Sequence, residues 1–329
     1  MKQKTIKNWE EIGLIKKIKK TSGKYGGDVL LGIGDDTAVV SCKGNKQLLY
    51  TVDSIVDGIH FLGELNKWES AGKRAIGAAV SDIAAMGGIP LYAMSSLFLP
   101  VSFNEKNVHR FMHGFISRLK EYGITLIGGN ITTINGSFAA DTIVIGETEN
   151  NTFITRRGAV VGDIICLAGI TGEAIAGLDL LLRRKEKKYP GLVNRYLEPV
   201  PMLLQARTIV KHLVPNSMID VSDGLMQDLN HILEESNVGA RLDLDQIPVS
   251  NGVKYTAELM GKDPYEYVLT GGDDYTLLFT VPVTHYKGKI NGLVIKRIGT
   301  IVKDKGISMY RYGKKIKLAY KNKGYIHRG

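Results

Sequence analysis

The chain has 329 residues, of which 44% are hydrophobic and 23% charged, and these proportions are typical of a globular protein and not of a disordered one. Its length suffices for two domains of ordinary size, each with its own core. The two cysteines form neither a disulfide framework nor a CxxC pair, so a reducing, cytoplasmic location is expected.

The formal net charge is +10, and much of the excess lies near the C-terminal end. Between Lys287 and Lys323 only Asp304 opposes the lysines and arginines. One interpretation is a nucleic-acid-binding surface. The other is a solvated basic face that also attracts anionic nucleotides, and we favour it because no aromatic interleaving accompanies the charge. No nucleic-acid partner is therefore expected.

The N-terminal half alternates between helical and extended patterns. A helix is predicted over residues 8–20, where Ile12, Ile15 and Ile18 share one face. A glycine loop follows, and later a helical period that ends at Gly87 and Gly88. The predicted elements after the first helix are strands at 38–40 and 47–52, a helix at 68–86, a strand at 91–99, a helix at 108–122, and strands at 125–127 and 142–146.

One uncharged stretch, residues 83–103, is long enough to cross a bilayer. Two glycines and two prolines divide it into a helix end, a turn and a strand, namely Gly87, Gly88, Pro90 and Pro100. No membrane span is therefore expected.

The second half shows the same alternation after the polar segment 147–152, which is the predicted domain boundary. We expect an N-terminal domain at 1–148 and a C-terminal domain at 149–329. The predicted elements are a strand at 163–168, a helix at 172–184, a strand at 217–221, a helix at 224–235, and strands at 275–281 and 293–301. This order is typical of an α/β or α+β fold in both halves.

No GxxxxGK[ST] loop is present, and neither are the HRD and DFG motifs of protein kinases. Carboxylates instead recur at glycine loops and at predicted strand ends. They are Asp35, Asp36, Asp53, Asp82, Asp220, Asp223, Asp273 and Asp274. Since Mg²⁺ prefers oxygen ligands, usually a few carboxylates with phosphate oxygens and water, together these residues predict a metal–phosphate site.

Taken singly, most of these aspartates have a simpler explanation. An Asp–Asp pair after glycine suits a turn, and Asp223 suits the cap of the helix predicted from Gly224. Asp82 is harder to explain in this way, because a buried carboxylate in an apolar helix is costly. Asp220 and Ser222 lie at a strand-to-helix turn, where backbone donors favour an anion.

Several segments resemble the thiamine-monophosphate kinase family, in the family's order and over nearly the whole chain. They are GIGDD at 32–36, VDS at 52–54, GIHF at 58–61, VSDIAAMG at 80–87, IGGN at 127–130, TRRGA at 155–159, DVSDGL at 220–225, LTGGDDY at 269–275 and GYIH at 324–327. The resemblance implies a two-domain aminoimidazole ribonucleotide synthetase-like fold whose N-terminal domain pairs into a β-barrel across a homodimer. It also implies an ATP- and Mg²⁺-dependent kinase that converts thiamine monophosphate to thiamine diphosphate.

The resemblance also assigns roles to individual residues. The implied magnesium ligands are Asp36, Thr51, Asp53, Asp82, Asn130, Asp220 and Asp223. The implied ATP contacts are Tyr122, Gly129, Asn130, Arg156 and Ser222, and the implied substrate contacts are His60, Asp273 and Tyr325. Asp223 is the residue on which catalysis is expected to depend most.

Two departures from the family pattern concern these residues. Asn130 replaces an aspartate found in many members, and Asp273 replaces a glutamate, which shortens the reach to the substrate by one methylene. A relative that acts on another small-molecule acceptor is therefore an open alternative. A non-catalytic nucleotide or nucleic-acid binder is disfavoured, because such a surface would not gather carboxylates.

Overall fold

The computed structural model describes residues 11–43, 46–65 and 67–317, with side chains from residue 13 onward. The described helices are α1 (Glu11–Thr21), α2 (Trp68–Ala85), α3 (Glu105–Tyr122), α4 (Glu173–Leu182), α5 (Pro190–Leu197), α6 (Leu203–Leu213), α7 (Leu225–Ser236), α8 (Asn251–Met260) and α9 (Pro264–Thr270). The described strands are β1 (Val29–Leu31), β2 (Ala38–Cys42), β3 (Lys46–Val56), β4 (Ile89–Pro100), β5 (Thr125–Ile134), β6 (Ala139–Glu147), β7 (Ile164–Ala168), β8 (Ser217–Val221), β9 (Gly239–Asp243), β10 (Thr276–Val281), β11 (Lys289–Ile290), β12 (Leu293–Val302), β13 (Gly306–Arg311) and β14 (Lys314–Ile316).

The first half forms a six-stranded sheet in the order β1-β2-β3-β6-β4-β5, antiparallel except for the parallel pair β4 and β5. Its central strands β3 and β6 carry fully buried side chains on one face and less buried ones on the other, and α2 packs against both strands. Aromatic rings fill the space beneath α3, where Phe111 and Phe138 meet edge to face at 5.0 Å. This half therefore has its own core.

The second half forms an eight-stranded sheet in the order β14-β13-β9-β12-β7-β10-β8, with β11 paired to β12. Its central strands β7, β8 and β10 are buried along their whole length. On β7, Ile165 and Leu167 face one cluster, whereas Ile164 and Cys166 face the other. Helices cover both faces of this sheet, so its strands read as continuous apolar runs.

Helix α2 joins the two halves, since it contacts β3 and β6 on one side and α6 and β8 on the other. This location explains why nearly all of its side chains are buried, including those of Arg74 and Ser81. The charged groups of α2 must therefore find partners inside the protein.

The predicted elements of the first half all lie on described helices and strands, although residues 8–10 of the first helix fall outside the described chain. The segment 83–103 divides as predicted into the end of α2, a turn at Gly87 and strand β4. Within the described residues, no helix combines the length and apolar character needed to cross a membrane. Helices α5, α6, α8 and α9 and strands β1, β9, β11, β13 and β14 were not predicted.

Candidate active site

Three carboxylates from distant parts of the sequence meet where the two halves touch. Asp36 precedes β2, Asp82 lies near the end of α2, and Asp220 is the penultimate residue of β8. One oxygen of each lies within 4.8 Å of the others. This cluster, Asp36, Asp82 and Asp220, is named the acidic cluster below.

The acidic cluster holds negative charge that its surroundings only partly offset. Burial, and then the charge of Asp36, raises the pKa of Asp220 to about 7. Burial and the charges of Asp220, Asp53 and Asp36 raise the pKa of Asp82 well above its usual value. Asp53 is therefore close enough to repel the cluster, as expected if it belongs to the same site.

Neighbouring hydroxyls orient the cluster. Thr51 Oγ1 donates to Asp82, and Ser81 Oγ donates to Asp220 Oδ2 at 2.5 Å. Asp36 Oδ1 accepts from Arg156 Nε at 3.0 Å, whereas the buried Asp36 Oδ2 accepts no hydrogen bond from the described residues. Converging carboxylate oxygens with an orphaned lone pair suit a hard divalent cation such as Mg²⁺.

Arg156 is the positive group of this region. Burial alone would lower its pKa, but the charge and hydrogen bonds of Asp36 raise it, so the guanidinium is always charged. Its backbone N–H also donates to both carboxylate oxygens of Asp35 at 3.3 Å. A permanently charged guanidinium beside a cation site is well placed to meet phosphate oxygens.

Asp223 lies in the turn between β8 and α7, and its predicted role as a helix cap is wrong. The N-cap is Gly224, and the acceptor is the side chain of Asp228 within the helix. Asp228 Oδ2 accepts from Asp223 N at 3.2 Å and from Gly224 N at 3.0 Å. Oxygen and nitrogen atoms of Asp223, Asp228 and His231 also lie within 4.8 Å of one another. Asp228 thus holds the backbone of the turn that carries the Asp223 carboxylate.

Two loops pack directly against each other beside the acidic cluster. Asp273 N donates to Ser222 O and Tyr275 N donates to Val221 O, both at 2.8 Å. A Cβ on Gly272 would overlap Ser222 O, so glycine is required for this approach. Asp273 and Tyr275 both have positive φ, at 65° and 49°. Such backbone strain in non-glycine residues is concentrated at functional sites.

Asp273 is held by side chains from both halves. Arg74 Nη2 of α2 donates to Asp273 Oδ2 at 2.5 Å, and Tyr275 Oη donates to Oδ1 at 3.2 Å. Arg74 also donates to the carbonyl of Tyr196 and lies over that ring, 4.9 Å from its centroid. Arg74 is only 2% exposed, so this ion pair is largely removed from water on the arginine side.

A groove of about 480 Å³ runs along the exposed strand β5 and helix α3. The predicted nucleotide contacts Gly129 and Asn130 line it, together with Ser95 and Met112. Tyr122 lies at the end of α3 and is not one of the residues found to line the groove; its ring is 5.9 Å from the Arg118 guanidinium.

The structure describes two of the three predicted substrate residues, His60 and Asp273. His60 lies in the turn after β3, where its Nδ1 accepts from Val56 N at 3.0 Å. Asp273 lies in the loop described above, and Ser222 lies in the facing loop. Tyr325 falls outside the described residues.

Sequence reasoning missed Arg74, Asp228 and Tyr275 as residues of the site. Arg74 could have been identified from the sequence, because it lies in the largely apolar helix α2. A charged side chain there needs a buried partner, and the same argument was applied to Asp82. Aromatic rings also accompany the C-terminal basic residues, contrary to expectation. The Arg311 guanidinium lies 5.3 Å from the centroid of the Tyr265 ring and 5.8 Å from that of the Tyr312 ring.

Two family models match the chain, AIR synthase related protein, N-terminal domain, over residues 34–148, and AIR synthase related protein, C-terminal domain, over residues 160–311. The thiamine-monophosphate kinase of Aquifex aeolicus (strain VF5) is 37% identical over 316 residues, or 94% of this chain and 97% of that protein. The chain belongs to the thiamine-monophosphate kinase family.

Other members of this family are similarly close. The thiamine-monophosphate kinase of Escherichia coli (strain K12) is 34% identical over 311 residues, or 91% of this chain and 92% of that protein. A solved structure of AaThiL complexed with AMPPCP and TMP matches with a TM-score of 0.86 and 36% identity, covering 99% of this chain and 100% of that one. The predicted family and its two-domain mixed α/β fold are confirmed.

Proposed function

We propose that this chain transfers the terminal phosphate of ATP to thiamine monophosphate, producing thiamine diphosphate and ADP. The acidic cluster carries this proposal, because buried carboxylates that converge beside a permanent guanidinium are suited to hold a metal–nucleotide complex. The related AaThiL structure, which holds AMPPCP and TMP, gives the two substrates.

The site fits Mg²⁺, with Asp36, Asp82 and Asp220 as the core of its ligand set. We assign Thr51, Asp53, Asn130 and Asp223 as further ligands, directly or through water. When bound, Mg²⁺ neutralises the triphosphate and stabilises the charge that develops during transfer. The mutual repulsion of the carboxylates in its absence is the physical reason for binding a cation here.

The nucleotide is assigned to the groove on β5, with Gly129 and Asn130 beside it and Tyr122 at the end of helix α3. Arg156 and Ser222 bind phosphate oxygens, since the first is charged and the second lies at a strand-to-helix turn. His60, Asp273 and Tyr325 are assigned to thiamine monophosphate.

An oxygen of the acceptor's phosphate attacks the γ-phosphorus in line. The new P–O bond forms as the bond to the β,γ-bridging oxygen breaks, and ADP leaves with the electron pair. The attacking oxygen is already anionic near neutral pH, so the residues of the chain need to align the substrates and offset charge, and no strong base is required. Asp223, whose backbone Asp228 holds, is the residue on which this alignment depends most.

We further propose a cytoplasmic homodimer in which each chain has domains at 1–148 and 149–329. The separate cores of the two sheets support the division. Strand β5, an edge strand with exposed apolar side chains, supports pairing of the first sheets into a barrel between two copies.

The decisive experiment is an assay of the purified chain with ATP, Mg²⁺ and thiamine monophosphate, following ADP and thiamine diphosphate. We expect equal amounts of both products, and a loss of about 100-fold or more in turnover for Asp223→Asn with little change in melting temperature. Asp304→Asn, an exposed aspartate remote from the acidic cluster in sequence, is the control. ATP binding without thiamine diphosphate would instead assign another phosphorylated acceptor, and near-normal turnover of Asp223→Asn would exclude its catalytic role.

A further inference from the structure

A row of residues crosses the first sheet from Asp53, whose charge acts on Asp82 of the acidic cluster, to the groove. Asp53 on β3 is opposite Thr142 on β6, Thr142 is opposite Ser95 on β4, and Ser95 is opposite Gly129 on β5. Directly opposed residues of neighbouring strands point to the same face. With strands about 4.8 Å apart, the row spans roughly 14 Å.

The two middle residues of this row carry buried hydroxyls without partners. Thr142 is 1% exposed and Ser95 is 5% exposed. Neither Thr142 Oγ1 nor Ser95 Oγ has a hydrogen-bond partner among the residues that the structure describes. Because a buried, unpaired hydroxyl destabilises a fold, such groups in a native protein call for an explanation.

Several other buried threonines of this protein have hydrogen-bond partners for their hydroxyls. Thr256 Oγ1 donates to Gly252 O at 2.9 Å, and Thr280 Oγ1 pairs with Ser217 Oγ at 2.9 Å. Thr37 and Thr276 also lack a described partner, but neither is opposite a second unpaired hydroxyl. Among the residues that the structure describes, only those of the row across the first sheet bring two such groups face to face, and there Ser95 also lines the groove.

We propose that Ser95 and Thr142 donate hydrogen bonds to the polyphosphate of the bound nucleotide, a role that rests on the proposed function. Ionised phosphate oxygens only accept hydrogen bonds, and two adjacent hydroxyl donors match them. The position also fits, because a triphosphate that extends from the groove at Gly129 toward the acidic cluster crosses β4 and β6. The nucleotide thus satisfies two donors that the protein alone leaves unpaired.

This role predicts a combination of effects that an ordinary core threonine would not show. Thr142→Val and Ser95→Ala remove the hydroxyl and almost no volume. The nucleotide-free protein should melt at the same temperature as the wild type or higher, because an unsatisfied buried group is lost. The affinity for AMPPCP with Mg²⁺ should fall by about threefold to tenfold for each variant.

The experiment measures melting temperature without nucleotide, and AMPPCP and adenosine binding by calorimetry, on the full chain and its variants. Thr256→Val is the matched control, since it removes a bonded hydroxyl: its melting temperature should fall while its AMPPCP affinity stays unchanged. Any adenosine affinity should be unchanged in all variants, because adenosine carries no phosphate.

Each outcome is decisive. If Thr142→Val and Ser95→Ala melt lower and bind AMPPCP normally, their hydroxyls serve the fold or a buried water, and the inference is overturned while the kinase function stands. If both lose AMPPCP affinity but the wild type makes no thiamine diphosphate, the inference holds and the assigned acceptor is wrong. If the wild type binds no AMPPCP, both proposals fail.

Discussion

Asp220 shows how a single ionised residue of the acidic cluster can destabilise the folded protein when no cation is bound. It is buried at the end of β8 beside two other carboxylates, and its pKa is raised to about 7. A group with this shift favours the folded state when protonated and opposes it when ionised. The cation that the cluster is built to hold would remove this penalty.

The stability of the cation-free protein should therefore fall as pH rises from about 4, near the unfolded pKa, to about 7, the folded pKa. In that window the folded chain holds a proton that the unfolded chain has released. At pH 8 in EDTA, Asp220→Asn should be more stable than the wild type by roughly 2 kcal/mol, and the difference should vanish near pH 4. Urea denaturation at each pH measures this.

Adding Mg²⁺ in place of EDTA tests whether a cation at the acidic cluster stabilises the folded protein. At pH 8 it should raise the melting temperature of the wild type and have little effect on Asp220→Asn. A wild type that is equally stable with EDTA and with Mg²⁺ would argue against a cation at the acidic cluster.

At the scale of elements, close contact between α2 and α3 determines where the acidic cluster lies. A Cβ on Gly72 would overlap the carbonyl oxygen of Phe111, and a Cβ on Gly114 would overlap that of Glu69. Glycine is therefore required on both helices. Asp82, Ser81 and Arg74 all project from α2, so its position decides the geometry of the site.

Gly114→Ala should lower the free energy of unfolding by about 2–3 kcal/mol, because the helices must separate to admit the methyl group. Gly191→Ala in α5 is the control, since nothing lies within 4 Å of its added Cβ and alanine is the better helix former. It should be neutral or slightly stabilising. Equal stability of both variants in urea denaturation would show that α2 and α3 adjust freely.

A second contact between elements connects α2 to the loop that carries Asp273. Removing the buried Arg74 leaves the Asp273 carboxylate without its main partner, and the assigned substrate contact then loses its orientation. Arg74→Met should raise KM for thiamine monophosphate about tenfold and leave KM for ATP within about twofold, as loss of one charged hydrogen bond would.

Lys73→Met is the matched control for Arg74→Met. Lys73 is the preceding residue of α2 and also reaches the second half of the chain, but it pairs with Glu198 at 3.0 Å. It should leave both KM values unchanged. If Arg74→Met raised both KM values equally, its role would be general to the fold and not specific to the acceptor loop.

At the scale of the whole molecule, the first sheet ends in an edge strand, β5, whose apolar side chains are exposed to solvent in the single chain. Strand β5 is exposed over nearly its whole length, and Ile127 and Ile131 are 53% and 65% exposed. An apolar edge strand of this length invites pairing with another chain. In the proposed homodimer, β5 would pack against the first sheet of a second copy of the chain.

Light scattering coupled to size-exclusion chromatography should therefore give twice the 36.1 kDa chain mass for the wild type. Ile131→Lys should give the monomer mass, because a charge would be buried at the interface. Leu204→Lys in α6, at a position 69% exposed, should leave the dimer intact. A monomeric wild type would contradict the pairing.

Some helices and strands were not predicted from the sequence, either because a helix start was overlooked or because the local pattern of a strand was weak. Ser250 caps the N-terminus of α8, and Asp263 caps that of α9, whose first residue is Pro264; both are recognisable helix starts. Strand β14 has three residues, of which two are lysines, so its pairing depends on the rest of the sheet. Local patterns identify long amphipathic elements better than short ones.

The sequence by itself determined the chemistry: aspartates at glycine loops, without any other phosphate-binding motif, indicated cation-assisted phosphate transfer and a family. Tertiary structure alone decided which groups meet, because Ser81 contacts Asp220 across 139 positions and Arg74 contacts Asp273 across 199. Such contacts depend on α2 packing between two sheets, which no local pattern encodes. The unpaired hydroxyls of Ser95 and Thr142 belong to the same class, since a missing hydrogen-bond partner is a property of the folded surroundings and not of the residue.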